Sequence, residues 1–405
     1  MGADDLPVVP HGPGPAPGTA VPVVEWHTSA VESVRWSPDG TRLASAGWDR
    51  TVRVWDPVSG VAVATLEGHP GKVVSVAWSP DGTRLASAGA DGAERVWDPV
   101  TGAVVAEHGP GYAASSVVWS PDGSRLATGR GGEEGTVSVW DPVTGARIAE
   151  IYGLYSGRNE PVQAVGWSPD GTRVAVAGGG VVRLWDPVSE VVVMTLRFGG
   201  ASVRWSPDGA RLAAAGPGDT VQVWNPAVGV VVAVLEGHTG GVVSVAWSPD
   251  GARLASAGAD GTVRLWDPGF GVSGTSSSAP PPKPRRWWSR RARSPARVTP
   301  TRSVIVKAPR SLDWAGGHLA VATEYGEVRL LDPSDPTRAG LIMVHLPDGG
   351  WASFHPSGAY RLSGDPAGQF RWVVGDERIE PGDDDGIHGI RRVPIDAPWP
   401  SDSPD

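Results

Sequence analysis

The chain has 405 residues, of which 40% are hydrophobic and 20% charged, with a formal charge of −9; a chain of this make-up can bury a large apolar area, and its acidity argues against general binding to phosphate backbones. It has no cysteine, which excludes disulfides, thiolate metal sites and a cysteine nucleophile. The 56 Gly, 39 Pro and 20 Trp, against 3 Met, 5 Tyr and 4 Phe, concentrate aromatic character in one residue type.

Residues 1–20 are Pro/Gly-rich and acidic, and they read as a flexible leader with neither the basic start nor the apolar run of a secretion signal. From residue 21 onward short strands alternate with tight turns. The pentapeptide Trp-Ser-Pro-Asp-Gly begins at Trp36, Trp78, Trp119, Trp167, Trp205 and Trp247, at intervals of 42, 41, 48, 38 and 42 residues. A second marker, Trp followed by Asp or Asn, follows each copy at Trp55, Trp97, Trp140, Trp185, Trp224 and Trp266. Between the markers the pattern has period two, and Pro-Asp-Gly, Ala-Asp-Gly and Asp-Pro-Val-Thr-Gly supply the turns, so each unit is four short strands.

Gly68-His69, Asp91 in a turn and Trp97-Asp98 together resemble the repeat of the WD-repeat family (WD40). The resemblance implies an all-β fold, a closed β-propeller of four-stranded antiparallel blades over residues 21–375, in which a strand near Val21 to Trp26 completes the last blade. It also implies that His27, Ser45, Asp49 and Trp55, repeated as His69, Ser87, Asp91, Trp97 and as His238, Ser256, Asp260, Trp266, form structural hydrogen-bonded tetrads. A hydrolytic triad is the competing reading, but a nucleophile needs one exposed elbow, not three repeated copies. Val176 and Ala214 stand where the fourth and fifth units need Ser, and Pro110 and Arg158 where His is expected, so those blades are expected to be less rigid.

Trp48 stands in a turn where other units carry Ala90 or Ala259, and with Arg50 it is a candidate partner-binding residue, expected to project from the surface. Residues 270–302 form a low-complexity insertion between the sixth and seventh units. Its stretch 283–302 holds eight Lys or Arg and no acid. Arg285, Arg286, Trp287, Trp288, Arg290 and Arg291 form a candidate arm for nucleic acid or an anionic membrane; a solvated loop is the plainer reading.

Two degenerate units follow. Ser311-Leu312-Asp313-Trp314 through Leu331-Asp332 is one; Trp351-Ala352-Ser353-Phe354 through Phe370-Arg371-Trp372 is the other. The count is then eight units, or seven blades with a C-terminal appendage. Gly364-Asp365, Phe370-Arg371-Trp372, Ile379-Glu380-Pro381-Gly382 and Ile390-Arg391-Arg392 resemble an element that follows WD repeats in bacterial signalling and defence NTPases, which implies a bacterial regulatory or sensor propeller. Residues 376–405 read as a tail, and Gly382-Asp383-Asp384-Asp385-Gly386 as a solvated acidic turn without the ligand spacing of a calcium loop. No phosphate-cradling, zinc-protease or dinucleotide motif occurs. The expectation is a cytoplasmic, non-enzymatic platform for protein partners, without cofactor or metal.

Overall fold

In a computed structural model, the described residues are 27–333, except 58–60, 110, 132–134, 153–160, 199, 217, 270–294, 307 and 316, together with the strand backbones between Ala339 and Arg392. All the described regular structure is β, and no described helix is long and apolar enough to cross a membrane.

The first blade shows how sequence becomes structure. Its strands are Val31–Trp36, Leu43–Gly47, Thr51–Asp56 and Val61–Glu67, paired antiparallel in that order from the inside outward. The first turn is held by its own side chains. Ser37 Oγ donates to Asp39 Oδ1 at 2.6 Å and Asp39 accepts from Thr41 N at 3.0 Å, while Gly40 takes the left-handed conformation at φ 70°. The second strand is buried along its whole length and the outer strands of later blades are half-exposed, as in Val191–Leu196. Both faces of the second strand are covered, Leu43 packing toward blade 7 and Ala44 and Ala46 toward blade 2, which removes the period-two signal.

Seven such blades form the ring. Their inner strands are Val31–Trp36, Val73–Trp78, Ala114–Trp119, Val162–Trp167, Ser202–Trp205, Val242–Trp247 and Pro309–Ala315. Each inner strand pairs on one side only, so its other edge lines the central channel and needs partners there. A serine supplies them. Ser33 Oγ accepts from Val76 N of the next blade at 3.3 Å, Ser75 from Val117 N at 3.1 Å, and Ser116 from Val165 N at 3.3 Å. Ser202 accepts from Val245 N at 3.4 Å, and Ser244 from Leu312 N at 3.1 Å. Ser311 then accepts from Val34 N at 3.4 Å, joining the seventh blade to the first. Only between blades 4 and 5 is the hydroxyl missing, because the residue there is Ala164.

Blades 7 and 1 also share one apolar cluster, in which Val31, Val34, Trp36 and Trp55 pack with Ala320, Ala322, Val328 and Leu330. The six repeated units and the unit from Ser311 therefore close the ring, which is the seven-bladed count. The eighth unit adds to the seventh blade: Trp351–Phe354 and Ala359–Ser363 extend its sheet beyond Ala339–His345.

The edge at which a strand near Val21 to Trp26 was expected is occupied by another segment. The outer edge of Val328–Leu331 is taken by Ala339–His345, with Val328 opposite Met343, so the seventh blade is completed from the C-terminal side. Val21 to Trp26 themselves lie outside the described residues. Removing residues 1–20 is therefore expected to leave the melting temperature nearly unchanged. Ending the chain at residue 337 exposes the edge of Val328–Leu331 and should cause aggregation or a large thermal loss. Differential scanning calorimetry with light scattering checks both.

The insertion leaves blade 6 after Thr262–Trp266 and returns as Ala296–Val298, which pairs parallel to Val230–Glu236 on the outside of blade 5. The chain then enters blade 6 as its outer strand, Arg302–Ile305.

Candidate interaction surfaces and the tetrads

In blade 1, His27 Nδ1 lies 3.0 Å from Asp49 Oδ1, His27 Nε2 lies 2.7 Å from Ser45 Oγ, and Trp55 Nε1 donates to Ser45 Oγ at 2.7 Å. Blades 2 and 6 repeat the chain. His69 is 3.1 Å from Asp91 Oδ1 and 2.7 Å from Ser87 Oγ, and Trp97 Nε1 donates to Ser87 Oγ at 2.7 Å. His238 is 3.0 Å from Asp260 Oδ1 and 2.7 Å from Ser256 Oγ, to which Trp266 Nε1 donates at 2.8 Å. In blades 1 and 6 the protons then have one consistent arrangement: indole to hydroxyl, hydroxyl to Nε2, and Nδ1–H to carboxylate; in blade 2 Arg95 Nη1 also stands 2.7 Å from His69 Nδ1.

Burial lowers the pKa of each of these histidines, keeping the imidazole neutral despite the nearby carboxylate. Burial also opposes ionisation of Asp49 and Asp260. Bonds from His27 and Thr51 outweigh it at Asp49, which stays below the ordinary range, and bonds from Thr239, Thr262 and His238 bring Asp260 to about 2. Ser45, Ser87 and Ser256 are fully buried, so no substrate carbonyl can reach their hydroxyls. Close approach also fixes the glycine ending the second strand of each of these three blades, Gly47, Gly89 and Gly258. A Cβ at Gly89 would lie 2.1 Å from Asp91 Oδ1 and 2.5 Å from His69 Nδ1.

The irregular blades show what the tetrad satisfies. In blade 3 Thr128 takes the serine position and accepts from Trp140 Nε1 at 3.1 Å, while the His108 ring stacks on Trp140 at 5.3 Å. In blades 4 and 5 Val176 and Ala214 offer no acceptor, and the buried Trp185 Nε1 and Trp224 Nε1 have none among the described residues. Pro110 and Arg158 lie outside them.

One interblade feature was missed from sequence. Glu94 occupies a position held by Val52, Val137, Val182, Val221 and Val263 in other blades, and Arg130 occupies the place of the strand-ending glycine. The two pair across blades 2 and 3, with Arg130 Nη2 2.6 Å from Glu94 Oε2, both buried. With no tetrad histidine in blade 3, the guanidinium has the room. Glu94 Oε1 and Arg130 Nε have no partner among the described residues. Burial pushes the Glu94 carboxyl up to about 7 against the pull of Arg130.

Trp48 sits on the face formed by the turns between second and third strands. It does not project freely: the ring is half-buried, with Lys72 Nζ 3.3 Å from its centroid. Arg50 is exposed and has φ 73°, where the other tetrad blades place Gly92 and Gly261. A non-glycine residue there is strained by roughly 1 kcal/mol. Tyr325 in the matching turn of blade 7 is 65% exposed, and that turn abuts the start of blade 1, because a Cβ at Gly326 would lie 3.0 Å from Ser29 O. Tyr112, also 65% exposed, precedes the inner strand of blade 3. Neither tyrosine was picked out from sequence, although each interrupts a repeat at a turn.

Arg285, Arg286, Trp287, Trp288, Arg290 and Arg291 lie outside the described residues, as do Gly382 to Gly386 and most of the C-terminal segment. Among the described residues, no cluster of three His, Cys, Asp or Glu could hold a metal ion.

No curated protein matches the chain. A family model described as "WD domain, G-beta repeat" matches residues 18–56, 60–98, 103–141, 150–186, 200–225 and 229–267, together more than half of the sequence. With seven four-stranded blades and three complete His–Ser–Asp–Trp chains, the protein belongs to the WD-repeat family.

Proposed function

We propose that the protein is a non-catalytic interaction platform, a scaffold or sensor module that docks a protein partner on the face carrying Trp48. What carries this reading is the strained Arg50 beside a half-buried tryptophan held under Lys72, with Tyr325 exposed on the adjoining blade. Strain retained at an exposed turn has no packing benefit to offset it, so its benefit is sought in binding. Large aromatics and arginine on neighbouring turns are the residue types that dominate interface energies. The complete tetrads are read as internal ties between strands and turns, supported by their burial and their closed proton inventory. The C-terminal resemblance is in keeping with a bacterial regulatory role.

Arg50→Gly is expected to stabilise the fold by up to about 1 kcal/mol while weakening the partner. Trp48→Ala with Tyr325→Ala is expected to abolish capture of that partner from the native host without lowering the melting temperature by more than a few degrees. Equal capture by wild type and the double variant removes this reading, as does catalytic turnover abolished by His69→Ala.

A second reading, in which residues 283–302 dock on nucleic acid or an anionic membrane, is favoured by one observation. The segment's end is pinned as a strand on the outside of blade 5, where Arg297 pairs with Glu236, leaving the arm anchored at the ring's periphery. Neutralising Arg285, Arg286, Arg290 and Arg291 should abolish salt-sensitive binding to DNA, RNA or anionic vesicles.

A further inference from the structure

The residue before each inner-strand tryptophan is Arg35, Ala77, Val118, Gly166, Arg204, Ala246 and Asp313 around the ring. Four of the seven are small and uncharged, and the other three bring two guanidiniums and one carboxylate into the channel. Their hydrogen bonds fix where they point. Arg35 Nη1 donates to Val34 O at 2.7 Å and, across the seventh-to-first junction, to Ser311 Oγ at 3.2 Å. Arg204 Nη1 donates to Val203 O at 2.9 Å. The N–H groups of Val34 and Leu312 take their partners from the neighbouring blade, so these peptide edges face away from the second strand and toward the axis. A guanidinium bonded to Val34 O or Val203 O therefore lies on the channel side.

Among the described residues neither cation is in a salt bridge with a carboxylate. Asp313, whose charge acts on both, uses Oδ2 to accept from Trp36 N at 2.7 Å. Both arginines are only partly accessible, and among the described residues the Arg204 guanidinium makes a single hydrogen bond, to a neutral carbonyl. Two enclosed positive charges against one negative charge leave the channel cationic inside a chain of net charge −9. Burial lowers the pKa of both, and Arg204 falls to about 9, with the Arg35 charge adding to the effect of burial and Asp313 opposing it. Enclosed guanidiniums with unused donors, two of them facing a single carboxylate that neither bonds, are a site for an anion, since an oxyanion accepts from several N–H groups at once and offsets the repulsion between the two arginines.

We propose that the central channel is a binding site for a small phosphate- or carboxylate-type oxyanion, held between Arg35 and Arg204. These residues stand one position before the inner-strand tryptophan, next to the Pro-Asp-Gly turns. The site thus opens on the face opposite Trp48, and an occupant there leaves the docking face free.

The test is thermal denaturation and isothermal titration of the full chain with inorganic phosphate, and separately with acetate, each against chloride at matched ionic strength. A saturable rise in melting temperature and a measurable heat with either anion, both lost in Arg35→Met/Arg204→Met, are expected; the anion giving the larger effect identifies the class. The double variant removes a like-charge pair and should fold at least as well in chloride. Should it not fold, Arg204→Lys, which keeps the charge but not the planar fork, is expected to weaken binding at least tenfold. No saturable response from wild type to either anion, or equal responses in wild type and variants, overturns the proposal.

Discussion

Replacing Glu94 with valine is expected to cost about 3–5 kcal/mol, because it leaves the Arg130 guanidinium buried, permanently charged and without a partner. Arg130→Met should cost less, since the carboxyl it strands can escape by taking up a proton. Glu94→Val with Arg130→Met together should recover most of the loss or exceed wild type, because valine is what the other blades carry and methionine fills the guanidinium's space. Urea unfolding of the four proteins forms a double-mutant cycle, and additive losses would show that the pair does not act as a unit.

The same pair sets a pH dependence of defined sign. A carboxyl raised from 4.5 to about 7 in the fold contributes stability that is fully present below pH 4.5 and is lost as pH rises through 7. Wild type should therefore lose ground to the double variant between pH 5 and 8. The tetrad and turn aspartates act in the opposite sense. Asp39 and Asp122 are held at about 2, mainly by hydroxyls of their own turns, and Asp260 is also at about 2, so their contribution is present above the ordinary 3.8 and lost as pH falls through 2. Acid unfolding in the double variant should be unchanged, which separates the two groups experimentally.

Ser87→Ala is the second large effect expected. One buried hydroxyl there serves Trp97 Nε1 and His69 Nε2 at 2.7 Å each, so its removal strands two buried polar atoms, at about 1–3 kcal/mol apiece. Thr128→Ala strands only the Trp140 indole and should cost about half as much. In the converse direction, Val176→Ser supplies the acceptor that Trp185 lacks and should gain stability or cost little, despite the loss of two methyl groups. Chemical denaturation ranks the three. Equal losses for Ser87→Ala and Thr128→Ala would mean that the histidine arm adds nothing.

Much of this fold could be read from the chain. Both tryptophan series, the turn aspartates and the His–Ser–Asp–Trp sets stand at fixed spacings, because each is tied to a unique place in the blade. The outer strands could not be ordered the same way. They are half-exposed, carry no obligatory residue and pair only through backbone, so the valines near the N-terminus looked as suitable for the last blade as Ala339–His345, which occupies that edge. Without that assignment, the unit after Trp351 counts as a blade instead of an extension of one. The serine girdle was legible as Ser-Val-x-Trp in five of the inner strands, with Ser311-Leu312-Asp313-Trp314 as its variant, but the tryptophan drew notice and the serine did not. Glu94 and Arg130 were legible only as two separate departures from the repeat. Nothing in one sequence shows that positions 36 residues apart meet across a blade interface.

The central claim, a rigid seven-bladed ring that presents its partner site on the Trp48 face, is tested most directly by hydrogen-exchange mass spectrometry. The full chain is compared alone and with the partner captured from its host. The account predicts slow exchange in the inner and second strands of all seven blades, and partner-dependent protection confined to peptides covering residues 28–50, 69–72 and 324–327. Protection confined to the Pro-Asp-Gly turns or to residues 283–302, with no change at Trp48 and Tyr325, would contradict it.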